Sequence, residues 1–193
     1  MSAETRADVT ERWNRYELVL TGLPADIARF RDAARGPGGV PWPLDADHQH
    51  TTLMARLMAG AGGAPLPRHA EDLLRAIAQA QEARHARLLV ACASPGGGCL
   101  LDLNRLLPVP AGLLAWGPDH GAALDWLDRH WGTREAVRQI DLQETRDPRR
   151  HSRRRLRFRF WMLDGRPATL AASLLRAWPE LEVTIRSLEL PGG

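Results

Sequence analysis

Residues 155–162 alternate strictly between large apolar side chains and arginine or tryptophan, and this pattern restricts the fold of the chain more than any other. The apolar positions are Leu156, Phe158, Phe160 and Met162, and the positions between them are Arg155, Arg157, Arg159 and Trp161. Successive side chains of a β-strand point to opposite faces of a sheet. The pattern therefore predicts a strand with one face against a hydrophobic core and the other face rich in arginine.

Weaker patterns predict the elements around this strand. Strands are expected at residues 16–21, 99–104, 137–144 and 182–190, and the strand at 137–144 is expected to form a hairpin with 155–162 across residues 147–154. Helices are expected at residues 24–34, 51–59, 119–131 and 167–177, and another begins near His69. At residues 88–90 the pattern does not distinguish a continuation of that helix from a new strand.

The order of these elements predicts an α+β fold with an antiparallel sheet. Two strand–helix–strand units around one sheet form the ferredoxin-like split βαβ arrangement. A chain of 193 residues is long enough for one domain with a substantial core. Residues 1–193 are therefore interpreted as a single domain, with residues 40–95 as a helical insertion within it.

Composition indicates an ordinary globular protein, with 44% hydrophobic and 25% charged residues. No apolar run approaches the roughly 18 residues of a transmembrane helix, so no membrane contact is expected. The polar segment from Met1 to Arg15 is unlike a signal peptide, which makes the cytoplasm the expected location. Cys92 and Cys99 match no zinc-binding spacing and are expected to be unrelated thiols.

Four segments of the chain carry a family resemblance. They are Leu20-Thr21-Gly22-Leu23-Pro24-Ala25-Asp26-Ile27 running into Phe30, Leu103-Asn104-Arg105-Leu106-Leu107-Pro108-Val109-Pro110, Trp126-Leu127-Asp128-Arg129-His130-Trp131-Gly132-Thr133-Arg134, and the alternating strand followed by Pro167 through Trp178-Pro179-Glu180-Leu181. Together they resemble the YubB-like ferredoxin-like domains, whose second and third segments read Leu-Ile-Pro-Met-Pro and Trp-x-x-x-x-Trp-Gly-Thr-Lys. Two departures are Arg134 in place of lysine and Glu135-Ala136 where the family continues with Trp-Asn.

The resemblance covers the beginning of the chain and residues 99–190. It implies the ferredoxin-like fold and an accessory role on a mobile element, because these domains occur mainly on plasmids and phages. It implies no particular activity, since none is established as shared by the family.

The Gly132-Thr133 turn is interpreted as structural. Gly132 can adopt the positive φ that ends a helix, and Trp126 and Trp131 can anchor that end in the core. The alternative is a surface aromatic anchor for a partner.

Eight arginines lie within residues 146–159, in a chain that has no lysine and a net charge of only +3. This arginine cluster consists of Arg146, Arg149, Arg150, Arg153, Arg154, Arg155, Arg157 and Arg159. With Trp161 it is the candidate binding surface, because guanidinium groups bind phosphate and carboxylate in a bidentate manner. The alternative is a solvated outer face neutralised by Asp141, Glu144, Glu182 and Glu189.

The sequence carries none of the common catalytic motifs. It contains no phosphate loop, no His-Glu-x-x-His motif and no Gly-x-Ser-x-Gly elbow. Asp45, Asp47, His48 and His50 offer metal-binding atoms, but no further ligand can be named for them. No catalytic residue, metal or cofactor is therefore predicted.

The expected function is that of a non-enzymatic binding protein of mobile-element origin. One form of it blocks a host protein or ribonucleoprotein complex, such as an anti-CRISPR or anti-restriction target. The alternative is direct nucleic-acid binding through the arginine cluster, although only Trp161 is an evident stacking residue and the ribonucleoprotein motifs are absent. A homodimer is compatible with the open edges of such a sheet.

Overall fold

A computed structural model describes residues 12–44, 51–55, 58–59, 69–94 and 96–188. Four strands are present in this part of the chain: β1 (Trp13–Gly22), β2 (Arg138–Arg146), β3 (Arg154–Leu163) and β4 (Glu182–Ser187). The named helices are α1 (Pro24–Ala33), α2 (Ala70–Ala93), α3 (Leu103–Leu106), α4 (Ala111–Leu114), α5 (Gly121–His130) and α6 (Pro167–Ala177). None of the described helices is long and apolar enough to cross a bilayer.

The four strands form one antiparallel sheet with the order β2-β3-β1-β4. The predicted α+β class and antiparallel sheet are confirmed, as is the hairpin that joins β2 to β3. Each end of β3 lies within one residue of the alternating segment. The strongest pattern in the sequence thus forms a central strand, between β2 and β1.

The hydrophobic core lies on one face of the sheet only. The apolar side chains of β3 at residues 156, 158, 160 and 162 are fully buried there. Ile27 and Phe30 of α1 and Leu170 and Leu174 of α6 close the core from the other side. Each such side chain contributes about 1.5–3 kcal/mol relative to its exposed state. Because α1 and α6 cover the same face, the opposite face is left to the alternate residues of the strands.

The end of α5 confirms the structural interpretation of the Gly-Thr turn. Gly132 has a φ of +68°, and the ring of Trp131 is 2% exposed, with its Nε1 donating to the Leu107 carbonyl oxygen at 2.9 Å. Thr133 Oγ1 donates to the Leu163 carbonyl oxygen at the end of β3, also at 2.9 Å. Trp126 is half-buried and its ring stacks on His130 with a centroid separation of 4.3 Å. The turn therefore fixes α5 to the sheet.

Residues 99–104 do not form the predicted strand. Cys99 makes an isolated bridge with Gly36, and residues 103–106 are helical. The buried carboxylate of Asp102 explains the difference, because it accepts hydrogen bonds from the backbone N–H groups of Asn104 at 2.8 Å and Gly38 at 2.9 Å. A side chain that caps the next turn favours a helix start over an extended backbone.

The described part of residues 40–95 is mostly helical, although residues 40–44 form neither helix nor strand. Residues 51–55 and 58–59 are helical. The helix α2 continues to Ala93, so residues 88–90, where the sequence did not distinguish helix from strand, belong to this helix. The interpretation of 40–95 as an insertion in a single domain stays a prediction. The Asp45–His50 segment considered for metal binding lies outside the described residues, as does Glu189.

Substituting Gly132 with alanine is expected to destabilise the protein by about 1–3 kcal/mol, because an L-residue at positive φ is strained. The new Cβ would also meet the Arg166 carbonyl oxygen and lie 3.1 Å from Thr169 Cβ. The measurement is the free energy of unfolding by urea denaturation. Gly121→Ala at the other end of α5 is the matched control, since its added Cβ meets nothing within 4 Å. Equal stability of the two variants would contradict the structural role of the turn.

Candidate functional site on the open face of the sheet

The face of the sheet opposite the core, here called the open face, is polar. Its residues follow from the strand register: Trp13, Arg15, Glu17, Val19 and Thr21 on β1; Arg138, Asp141, Gln143 and Thr145 on β2; Arg155, Arg157, Arg159 and Trp161 on β3; Glu182, Thr184 and Arg186 on β4. Six arginines thus share this face with three carboxylates. Most of these side chains are partly or fully exposed.

Glu17 lies at the centre of the open face and is only 1% exposed. Its Oε1 accepts from Arg159 Nε at 3.1 Å, and its Oε2 accepts from Arg186 Nε at 2.8 Å. Arg157 Nε lies 3.4 Å from Oε1. One carboxylate on β1 therefore binds cations from the neighbouring strands β3 and β4, and the three guanidinium groups together exceed its charge.

The ionisation of Glu17 follows from these contacts. Burial by itself raises the pKa of a carboxyl group. Hydrogen bonds from Arg159 and Arg186 and the positive charge of Arg157 outweigh burial, so the net effect is a pKa of Glu17 below its usual value. Glu17 is therefore charged at neutral pH.

The arginines in the β2–β3 loop are paired in part. Arg150 Nη1 lies 2.6 Å from a carboxylate oxygen of Glu182, which Arg153 also contacts. Arg155 lies 3.4 Å from Asp147, a buried carboxylate that also accepts from the backbone N–H of Arg149 at 3.0 Å. That backbone bond is the first cause of a lowered pKa at Asp147, with the nearby arginine charges contributing.

The neutralisation considered from the sequence occurs only to a limited extent. Of the four expected partners, Glu182 pairs with the arginine cluster, Glu144 pairs with Arg31 at 2.9 Å instead, and Asp141 has no ion pair among the described residues. The side chains of Arg146, Arg149 and Arg154 likewise make no ion pair within the described part of the chain. The sequence therefore predicted Glu182 correctly as a partner, but not Glu17, the buried counter-charge of Arg157 and Arg159.

Two guanidinium nitrogens on the open face have no hydrogen-bond acceptor among the described residues. They are Nε of Arg155 and Nε of Arg157, and both atoms are buried. Buried donors are rarely left without a partner, and each lost hydrogen bond costs about 1–3 kcal/mol. Two donors of the arginine face are thus left without an acceptor from the described part of the chain.

Of the candidate site residues, the structure brings Arg155, Arg157, Arg159 and Trp161 together on the open face. Arg149, Arg150 and Arg153 lie in the adjoining loop, and Arg154 begins β3 on the side of the core residues. Sequence reasoning missed the residues of β1 and β4 that complete the site: Trp13, Arg15, Glu17 and Arg186. A signal was present, because alternation through Tyr16, Leu18 and Leu20 assigns Glu17 to the opposite face.

The two tryptophans of the open face lie at one end of it. Trp161 is opposite Arg15 on β1 and Arg138 on β2, and Trp13 is its diagonal neighbour. The guanidinium of Arg138 lies 4.4 Å from the ring centroid of Trp13. A cavity of about 280 Å³ is lined by Trp13, Arg138, Gln139 and Trp161 and is called the tryptophan slot below.

A larger cavity of about 510 Å³ lies between the 37–44 segment and α2. Its polar lining consists of Gln81, Arg84, His85 and Arg87, with no carboxylate, hydroxyl or thiol among the described lining residues. Burial is the first cause of a raised pKa at both Cys92 and Cys99, so neither is an activated thiolate. The described residues contain no group of three side chains suited to a metal ion.

Comparison with known proteins gave no relative. No family model matches the chain, and no curated protein or solved structure matches it significantly. The resemblance to YubB-like domains therefore stays a prediction.

Glu17→Gln is expected to lower the free energy of unfolding by about 1–3 kcal/mol at neutral pH, because three guanidinium groups lose their shared counter-charge. The loss is smaller than for a fully buried ion pair, since the guanidinium groups stay in contact with water. Urea denaturation measures it. Glu144→Gln, which breaks a single partly exposed pair, is the control and should change stability by less than about 1 kcal/mol.

The stabilisation by Glu17 should depend on pH. A carboxyl group whose folded-state pKa is lowered stabilises the fold above its unfolded pKa, and this contribution is lost as pH falls through the folded pKa. The stability difference between the wild type and Glu17→Gln should therefore shrink below about pH 4, where glutamate ordinarily titrates. A difference that stays constant from neutral pH to about pH 3 would contradict the assignment of charge to Glu17.

Proposed function

We propose that this chain is a non-enzymatic binding protein whose open face binds single-stranded nucleic acid. The observation that carries the proposal is the excess of guanidinium groups around one buried carboxylate, Glu17. Of the two functions expected from the sequence, direct nucleic-acid binding through the arginine cluster is the one that this geometry favours. The ligand contacts extend beyond that cluster to arginines of β1 and β4.

Charge supports this proposal. Arg157, Arg159 and Arg186 together carry two more charges than Glu17 neutralises, and Arg15 and Arg149 have no ion pair among the described residues. Guanidinium groups bind phosphate oxygens through paired N–H donors. A ligand with a row of phosphates would supply acceptors to several strands of the sheet at once.

The shape of the surface favours a single strand over a duplex. The open face is one side of a four-stranded sheet. Along β3 its arginines and Trp161 alternate with core residues. Proteins that bind single strands combine a cationic surface with aromatic side chains on which bases stack. In a duplex the base faces are already stacked and are not available to Trp161.

The expected capture of a host protein or ribonucleoprotein complex, such as a defence target, is a second proposal. It is supported by the resemblance to YubB-like domains and by the tryptophan–arginine composition of the open face, since both residue types are frequent anchors in protein interfaces. A ribonucleoprotein would present phosphates to the same arginines. The mobile-element origin and the cytoplasmic location belong to this proposal.

The finer assignment of the fold is proposed as ferredoxin-like. One support is the antiparallel sheet, whose strand order is β4-β1-β3-β2 when it is counted from the β4 edge. The other is the pair of helices that follow β1 and β3, since both cover the same face of the sheet. Such a fold leaves its second face free for a ligand.

Binding should be measured with a fluorescent single-stranded oligonucleotide over a range of salt concentrations. Affinity is expected to fall as salt rises, with a slope of about 0.7 in log–log units for each phosphate contact. Arg15→Gln/Arg149→Gln should reduce this slope by about 1.4 and weaken binding at low salt. These arginines are chosen because neither supports Glu17, so the fold should be retained.

The matched control is Arg35→Gln/Arg176→Gln, which removes the same charge from the helix side of the molecule. It should leave the salt slope unchanged. An equal loss of oligonucleotide affinity in both double variants would mean that the net charge of the protein, and not the open face, determines binding. If the wild type binds no oligonucleotide at low salt, nucleic-acid binding is wrong, and an acidic protein surface becomes the ligand to test.

A further inference from the structure

We propose that the tryptophan slot is a stacking site for one nucleobase, lying at the end of the phosphate-binding surface. This inference rests on the proposed function and names the part of the nucleic acid that the slot would take. It extends the sequence-based expectation, which recognised Trp161 as a stacking residue but not Trp13.

Two aromatic rings of adjacent strands meet at this site. Trp13 on β1 and Trp161 on β3 are diagonal neighbours in an antiparallel ladder, where side chains lie within reach of each other. Both are only partly buried, which leaves ring surface accessible. The guanidinium of Arg138 lies over one ring face of Trp13, 4.4 Å from the ring centroid. A flat cation therefore already contacts this face.

The size of the slot suits a single heterocycle. Its volume of about 280 Å³ lies just below the range of small-molecule sites, which occupy about 300–1,000 Å³. Its lining combines two aromatic rings with Arg138 and with Gln139, whose side chain is an amide. An amide offers both donors and an acceptor, which match the polar edge of a base.

Gln139 is held in this position by an irregularity of β2. The register with β3 shifts between Arg138 and Asp141, and Gln139 has a φ of +50°. A non-glycine residue in this conformation is strained, and β-bulges commonly redirect a side chain beside a functional site. The bulge thus brings Gln139 to the lining of the slot, where a regular strand would have continued its alternation.

The charges around the slot select among flat ligands. Aromatic rings also attract cations, so a methylated amine is a chemical alternative. Arg15 and Arg138 flank Trp161 on both sides, and Arg15 has no ion pair among the described residues. These charges repel a cationic ligand and attract one that carries phosphate. A base with its phosphate is therefore the ligand that fits.

The slot is continuous with the phosphate-binding arginines. Trp161, Arg159 and Arg157 follow one another on the same face of β3, so that their Cα atoms are separated by steps of about 6–7 Å. This step is comparable with the distance between phosphates in an extended single strand. A strand whose base enters the slot can therefore place its next phosphates over the Glu17 arginines.

The test compares two strands of about 12 nucleotides, oligothymidylate and an abasic strand with the same number of phosphates. The wild type should bind oligothymidylate about 5- to 100-fold more tightly than the abasic strand, the range expected for stacking of one base. Trp161→Leu and, separately, Trp13→Leu should reduce this ratio toward one without changing affinity for the abasic strand. Trp116→Leu, which removes an exposed tryptophan outside the slot, should leave the ratio unchanged.

The binding results for the two strands test the stacking site and the proposed function separately. Equal affinity of the wild type for both strands would overturn the slot and leave phosphate binding intact. A ratio that persists in both slot variants, once circular dichroism has shown them folded, would also overturn the slot. Binding of neither strand at low salt would overturn the proposed function and the slot with it.

Discussion

The ionic contact between Glu17 and three arginines connects three of the four strands of the sheet. Glu17 is on β1, Arg157 and Arg159 are on β3, and Arg186 is on β4. Without this carboxylate, Arg157 and Arg159 on one side of β1 and Arg186 on the other would lose the counter-charge that they share. A buried ion pair often stabilises a fold no more than well-packed apolar residues would in the same place. Here it allows one strand to carry a hydrophobic core on one face and an array of cations on the other.

The same contact limits how the arginines can act. Groups that share a single counter-charge keep a net positive field, while their side chains stay oriented by the carboxylate. The open face is therefore an ordered surface for anions, in contrast to a mobile basic tail. Arginines of the β2–β3 loop add to this field, although Glu182 and Asp147 neutralise part of it.

The sequence predicted the fold class well because its strongest pattern lies in a central strand. Alternation at 155–162 and the Gly132 turn both depend on local geometry, and both were confirmed. The strand expected at 99–104 was wrong because Asp102 caps a helix there, a contact that extends to the distant Gly38. The site was only partly predictable: Glu17 acts through residues about 140 and 170 positions away, and Trp13 lies before the point where the apolar pattern of β1 begins.

The bulge in β2 has a consequence for solubility. Among the described strands, β2 has a neighbour on one side only, so its other side presents backbone donors and acceptors to solvent. A regular edge of this kind is a template for strand addition and aggregation. The shifted register between Arg138 and Asp141 interrupts that template, and the flanking charges oppose the approach of a second copy. The irregularity beside the tryptophans thus also helps to keep an arginine-rich hairpin from growing into a larger sheet.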